Sequence, residues 1–231
     1  MEKTIRIPRN LTALLQHIQR SVSKGHYYWC QGTIPPNKLS GFLQKWATLG
    51  LRADAPARAY RKAKGRASVH FCLSPDYMKF GEAPLNWWIL STTGRDGLLS
   101  ERPPAPVKDA RRASERLVIG DYQLARLAKE WRGADGKLKR ETTWTWRLTN
   151  QRFHEWEILL VIQAKQRDKD GLLRSFNALA SMPQFSGVRN QSVKLMRTAN
   201  HYLEKFGSTP LPIPMLPKMR MIKLWDDETE I

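Results

Sequence analysis

The sequence predicts an α+β fold: a small, mostly antiparallel sheet with packing helices, followed by a helical C-terminal part. Three observations carry this. Segments rich in aromatic and β-branched residues alternate with amphipathic segments up to about residue 149. From about residue 150 helical periodicity takes over. A chain of 231 residues, 41% hydrophobic, can also bury a real core.

Asn10 is placed to cap a helix over about 11–24, where Leu11, Leu14, Leu15, Ile18 and Val22 fall at helical spacing. "HYYWCQGTI" (26–34) has strand composition. Pro35-Pro36 starts a helix with Leu39, Phe42, Leu43, Trp46 and Leu49 on one stripe. The basic stretch "ARAYRKAKGR" (57–66) reads as a helical arm feeding a strand at 67–73. There Ala67, Val69, Phe71 and Leu73 alternate against Ser68, His70 and Cys72, as in a half-buried strand. "PLNWWILSTT" (84–93) is expected as a central strand, and its adjacent Trp87 and Trp88 must face opposite sides, so one needs a cover, a partner or a ligand. This order suits a sandwich of the ferredoxin-like kind.

Residues 94–116 are a basic, Pro-rich loop with a short helix. Strands follow at about 117–128 and 139–149, joined through "GADGK", where Asp135-Gly136 suits a tight turn. Trp144, Trp146 and Leu148 share one face of the second strand; Thr143, Thr145 and Arg147 share the other. Thr149 or Asn150 caps a helix to about 167, rich in Phe153, Trp156, Leu159, Leu160 and Ile162 and therefore expected largely buried. Further helices are expected at about 170–181 and 187–206, then a Pro-rich extended tail, with "RMIKLW" adding an edge strand or docking on a neighbour before the acidic "DDETE". The corresponding organisation is 1–149 as a sheet domain with basic loops, 150–207 as a helical subdomain and 208–231 as the tail.

Charge is the outlier. Lys and Arg number 39 against 21 acidic residues, leaving +18 and a pI of about 10.3. Such an excess points to a polyanionic partner, since each neutralised phosphate releases counterions. Density peaks at 51–66, where Arg58, Arg61, Lys62, Lys64 and Arg66 lie. A second concentration holds Lys108, Arg111, Arg112 and Arg116; a third, on the hairpin, holds Lys137, Lys139 and Arg140. On the last helix Val188, Leu195, Met196, Ala199, Tyr202, Leu203 and Phe206 fall in one apolar arc, while Asn190, Lys194, Arg197, His201 and Lys205 form a polar row. Tyr27, Tyr28, Trp29, Trp87, Trp88, Trp144 and Trp146 supply rings on which unpaired bases can stack.

Catalytic and metal motifs are missing. There is no H-E-x-x-H, P-loop or G-x-S-x-G sequence, and Cys30 and Cys72 form no C-x-x-C pair. No cofactor or metal is expected. No family motif is met over a useful length of the chain. The expected function is nucleic-acid binding, single-stranded DNA or RNA ahead of duplex, with phosphates on the basic clusters including Lys194, Arg197 and His201. One alternative is a metal-independent endoribonuclease using His70 or His26 as general base or acid. A second is a non-enzymatic subunit of a nucleoprotein complex, docking on other protein subunits through its tail. Without an apolar run long enough for a leader or a membrane span, a cytoplasmic protein with no membrane partner is expected.

Overall fold

The computed structural model describes residues 5–74, 83–100, 102–132 and 135–230, without the side chains of residues 6, 129, 131, 139, 140 and 226–230. The fold is α+β, and the chain divides into two compact units: Met1–Arg116 with Met221–Ile231, and Leu117–Arg220. The division expected after residue 149 falls between a strand and a helix of the second unit.

In the first unit, β1 (Arg6–Pro8) leads to α1 (Leu11–Ser23), where the Asn10 side chain accepts a hydrogen bond from the Ala13 N–H at 2.9 Å. Next come β2 (Tyr28–Ile34), α2 (Leu39–Lys45), α3 (Ala55–Ala63), β3 (Val69–Leu73), β4 (Leu85–Ser91) and β5 (Lys108–Asp109). Sheet order is β3-β4-β2-β5, every neighbouring pair antiparallel. β2 and β3 therefore run parallel on either side of β4, a split βαβ arrangement whose crossover carries α2 and α3. β5 returns antiparallel beside β2, where the last strand of a β-α-β-β-α-β sandwich would lie, but among the described residues no second crossover helix joins β4 to β5, so only the α+β class is shown.

The expected central strand is β4, and both its tryptophans are covered. Trp87 lies 4% exposed in an apolar cluster with Ile34, Leu43, Phe71 and Ile89. Trp88, on the other face, is 7% exposed and donates its Nε1–H to Gln31 Oε1 at 3.1 Å. Gly32 makes this packing possible, because a Cβ there would meet the Trp87 ring at 2.6 Å. Of "RMIKLW" only Trp225 is in a strand: the strand Trp225–Glu230 is made by the acidic end instead, and it pairs antiparallel with β1.

In the second unit, β6 (Val118–Ile119), β7 (Tyr122–Arg132) and β8 (Leu138–Leu148) form an antiparallel sheet. The β7–β8 hairpin runs in register from Tyr122↔Leu148 to Arg132↔Leu138, with Gly136 at φ +72° in the turn. Helices α4 (Asn150–Lys165), α5 (Lys169–Ser181) and α6 (Ser186–Lys205) follow, with Thr149 as the α4 N-cap.

One expectation is corrected here. Helix α4 is not largely buried: Trp156, Leu160 and Ala164, four apart, face inward, while Ile158, Leu159 and Ile162 are 42–48% exposed. An apolar composition all round a helix says nothing about how many neighbours it has, and here packing covers one stripe. Thr145, on the face of β8 opposite Trp144 and Trp146, is 2% exposed because the start of α6 crosses it: Ser186 Oγ and the Gly187 N–H bond to its hydroxyl at 2.9 and 3.2 Å.

Candidate nucleic-acid interface

The contacts that anchor α6 also fix which side it shows. At its first turn Gly187 lies so close to β8 that a Cβ would meet the Trp146 carbonyl oxygen at 2.5 Å. One turn on, Gln191 pairs with the Leu148 backbone: Oε1 accepts the Leu148 N–H at 2.7 Å, and Nε2 donates to its carbonyl at 3.3 Å. Val188, Leu195, Met196, Ala199 and Leu203 are then 0–1% exposed. The opposite row of Asn190, Lys194, Arg197, His201 and Lys205 is exposed as expected. At 1.5 Å per residue, the span from Asn190 to His201 is about 16 Å.

A wall stands beside this row. The Pro-rich segment after α6 is extended, and Asn200 binds it as a strand would: Nδ2 donates to the Leu211 carbonyl at 2.7 Å, and Oδ1 accepts the Leu211 N–H at 2.9 Å. Lys169 Nζ donates to Thr209 Oγ1 at 2.7 Å, and the Met219 N–H reaches the Gln184 carbonyl at 3.3 Å. Between α6 and this segment lies an open cleft of about 760 Å³. Arg189, Lys194 and Arg197 line it together with Asn190, Thr198 and His201, and Val193, Pro214 and Leu216 give it an apolar strip. Among the described residues no carboxylate lines it. Lys194 Nζ sits 5.5 Å from the Phe153 ring centroid.

The densest basic stretch is arranged differently. Asp54 caps α3, its Oδ1 accepting the Ala57 N–H at 2.8 Å. Arg58 is half-buried, donates to the Ala53 carbonyl, and lies close enough to His17, His26 and His70 to disfavour their protonation. Arg61 donates to three main-chain carbonyls: Ala67 at 3.1 Å, Asp96 at 2.9 Å and Thr48 at 3.4 Å. Arg66 pairs with Asp96 at 3.1 Å. Lys62 and Lys64 point outward, Lys64 over the Tyr60 ring at 5.8 Å.

In the second cluster Arg111 is clamped on Asp109 and Tyr28, Arg112 pairs with Glu115 at 3.2 Å, and Arg116 is half-exposed. The Asp109 carboxyl is held below its usual range by Arg111, and that of Glu115 chiefly by the Asp109 N–H. In the third, Lys137 is exposed at the hairpin turn; the side chains of Lys139 and Arg140 lie outside the described residues.

His26 and His70 come together, joined by His17, which the sequence reading overlooked. Ring centroids lie 4.5 Å apart for His26–His70 and 5.2 Å for His17–His70, all edge-to-face, and Trp225 closes on His17 at 4.9 Å. His26 Nδ1 faces the Ser21 carbonyl at 2.9 Å and Nε2 faces Ser68 Oγ at 3.0 Å. A carbonyl only accepts, so Nδ1 carries the proton and Nε2 accepts from the serine hydroxyl. Burial first, and nearby positive charge second, lower His17 to about 4 and His70 to about 2; burial also takes His26 to about 4. A general acid must hold its proton at the working pH, which these rings do not do near neutrality. Burial pushes the Cys30 and Cys72 thiols up to about 12. Among the described residues no group of three or more His, Cys, Asp or Glu is arranged to hold a metal, and no helix is long and apolar enough to cross a membrane.

Arg189, Val193 and the far wall at Pro214 and Leu216 also escaped the sequence reading. The stride Arg189–Val193–Arg197, four residues at a time, was the available signal on α6; nothing in the sequence marked the wall. Compared with family models, characterised proteins and solved structures, the chain matches none.

Proposed function

We propose that the protein binds nucleic acid, with the phosphates of a strand lying along α6 between its cationic row and the Pro-rich wall. The observation that carries this reading is the cleft itself: three permanent cations, a histidine and two neutral polar side chains line it, and among the described residues no carboxylate does. Arg supplies forked donors and Lys a mobile point charge, the combination phosphate oxygens call for. The net charge of +18 favours the same class of partner at longer range. An apolar strip at Val193, Pro214 and Leu216 beside the cations suits an unpaired strand, whose base faces need apolar cover, better than a duplex.

Titrating fluorescently labelled single strands across a salt series tests this. Three phosphate contacts on a single strand give a log–log slope of about −2, steeper if the other clusters join. A slope near zero, or no binding at about 50 mM salt, overturns the reading.

A further inference from the structure

Of the seven aromatic residues offered by the sequence as stacking surfaces, five are core: Trp29, Trp87, Trp88, Trp144 and Trp146 are all under 8% exposed. Tyr27 and Tyr28, at the start of β2, are only partly buried. The loop after β5 brings Arg111 against both. Its guanidinium carbon lies 4.8 Å from the Tyr27 ring centroid and 5.3 Å from that of Tyr28.

The guanidinium is fixed on its other edge. Nε and Nη2 donate to the two Asp109 oxygens at 2.9 and 2.7 Å, and Nη2 also donates to the Tyr28 hydroxyl at 2.9 Å. Asp109 is itself placed by the sheet, opposite Tyr28 in the β2–β5 register. The Arg111 side chain nevertheless keeps 42% of its surface open.

This is a poor phosphate grip: the charge is already matched by a carboxylate, and the donors of the forked edge are engaged. It is a good flat surface. Guanidinium planes and phenol rings are what unpaired bases stack on, and a plane already held in place loses little freedom when a base covers it. A surface Arg–Asp pair adds little stability, so fold stability is a weak reason for the arrangement. We propose that Tyr27, Tyr28 and Arg111 form a stacking platform for an unpaired nucleobase; this rests on the nucleic-acid reading above and assigns Arg111 to the base rather than the phosphate.

The test compares DNA and RNA strands of about 12 nucleotides with an abasic strand of the same length, which keeps the phosphates and lacks the bases. The wild type should bind the base-bearing strands more tightly by roughly 5- to 100-fold, and Arg111→Ala should lose much of that preference while binding the abasic strand as before. Arg111→Lys keeps the charge and loses the plane, so it should behave like Arg111→Ala. A gain for RNA alone would make the 2′-hydroxyl part of the site. In the unmodified protein, photocrosslinking of an iodouridine-bearing strand should label the tryptic peptide Gly25–Lys38, which holds both tyrosines. Equal binding of base-bearing and abasic strands, full rescue by Arg111→Lys, or crosslinks confined to other peptides overturn the platform and leave the nucleic-acid reading standing. Failure of the wild type to bind any strand at low salt overturns both.

Discussion

Helices α3 and α6 both look like phosphate grips in the sequence, yet they use their arginines in opposite ways. Around α3, Arg58 and Arg61 turn toward main-chain carbonyls and Arg66 toward Asp96. On α6, Arg189, Lys194 and Arg197 line an open cleft that no carboxylate among the described residues enters. The difference lies in what each helix is attached to. α3 has no buried residue of its own, so its long side chains reach over the adjoining loops and brace them. α6 is seated by a full apolar stripe, and its cations are left over for the outside. Charge density therefore locates cations; only their hydrogen-bond and ion-pair partners decide which of them remain available.

The comparison can be broken first through acid. His17, His26 and His70 have lower pKa values folded than the ordinary 6.5, so the unfolded chain takes up protons first and falling pH favours unfolding. Stability should hold above pH 6.5, fall toward about 4 as His17 and His26 titrate, and fall further toward 2 for His70. Each histidine contributes up to about 1.4 kcal/mol per pH unit. Arg58→Gln removes one of the charges that lower them, so urea melts across pH should show a shallower acid loss; an unchanged limb would mean Arg58 does not act on the cluster.

Next in size is Arg61→Ala, which strips a charged donor from three carbonyls and should cost about 2–3 kcal/mol in denaturant melts. The salt slope of binding should stay as in the wild type; a loss of slope without a loss of stability would return Arg61 to the phosphate-binding group. Asn200→Ala releases the wall of the cleft at Leu211 and should cost about 1 kcal/mol. It should also weaken binding although no charge has changed, and undiminished affinity would separate the wall from the site. Smallest is Lys62→Gln with Lys64→Gln: stability should change by under about 0.5 kcal/mol. The slope should change by less than about 0.7, the value of one single-strand phosphate contact.

Most of the element order was legible because local signals and burial agree: Asn10 and Thr149 cap their helices, Gly136 turns the hairpin, and Val69, Phe71 and Leu73 face the core. β3 is not the half-buried strand expected, however, since Ser68 and Cys72 on its other face are buried too. The polar row of α6 was legible for the same reason, since its periodicity matches its one packed face. Misreadings arose where a distant segment decided the outcome. Whether Leu159 and Ile162 are covered and whether Arg61 is free depend on contacts that leave no periodic trace nearby. The Pro-rich wall was read as a tail because the side chain that holds it, Asn200, lies 11 positions away on another element.

The central claim, that α6 rather than α3 carries the available phosphate-binding charge, is tested most directly by the salt dependence of single-strand binding by a Lys194→Gln, Arg197→Gln variant. Both side chains are exposed, so the variant should melt like the wild type. Its log–log slope should be shallower by about 1.4, two single-strand contacts at about 0.7 each. A variant that folds normally and binds with the wild-type slope would contradict the account.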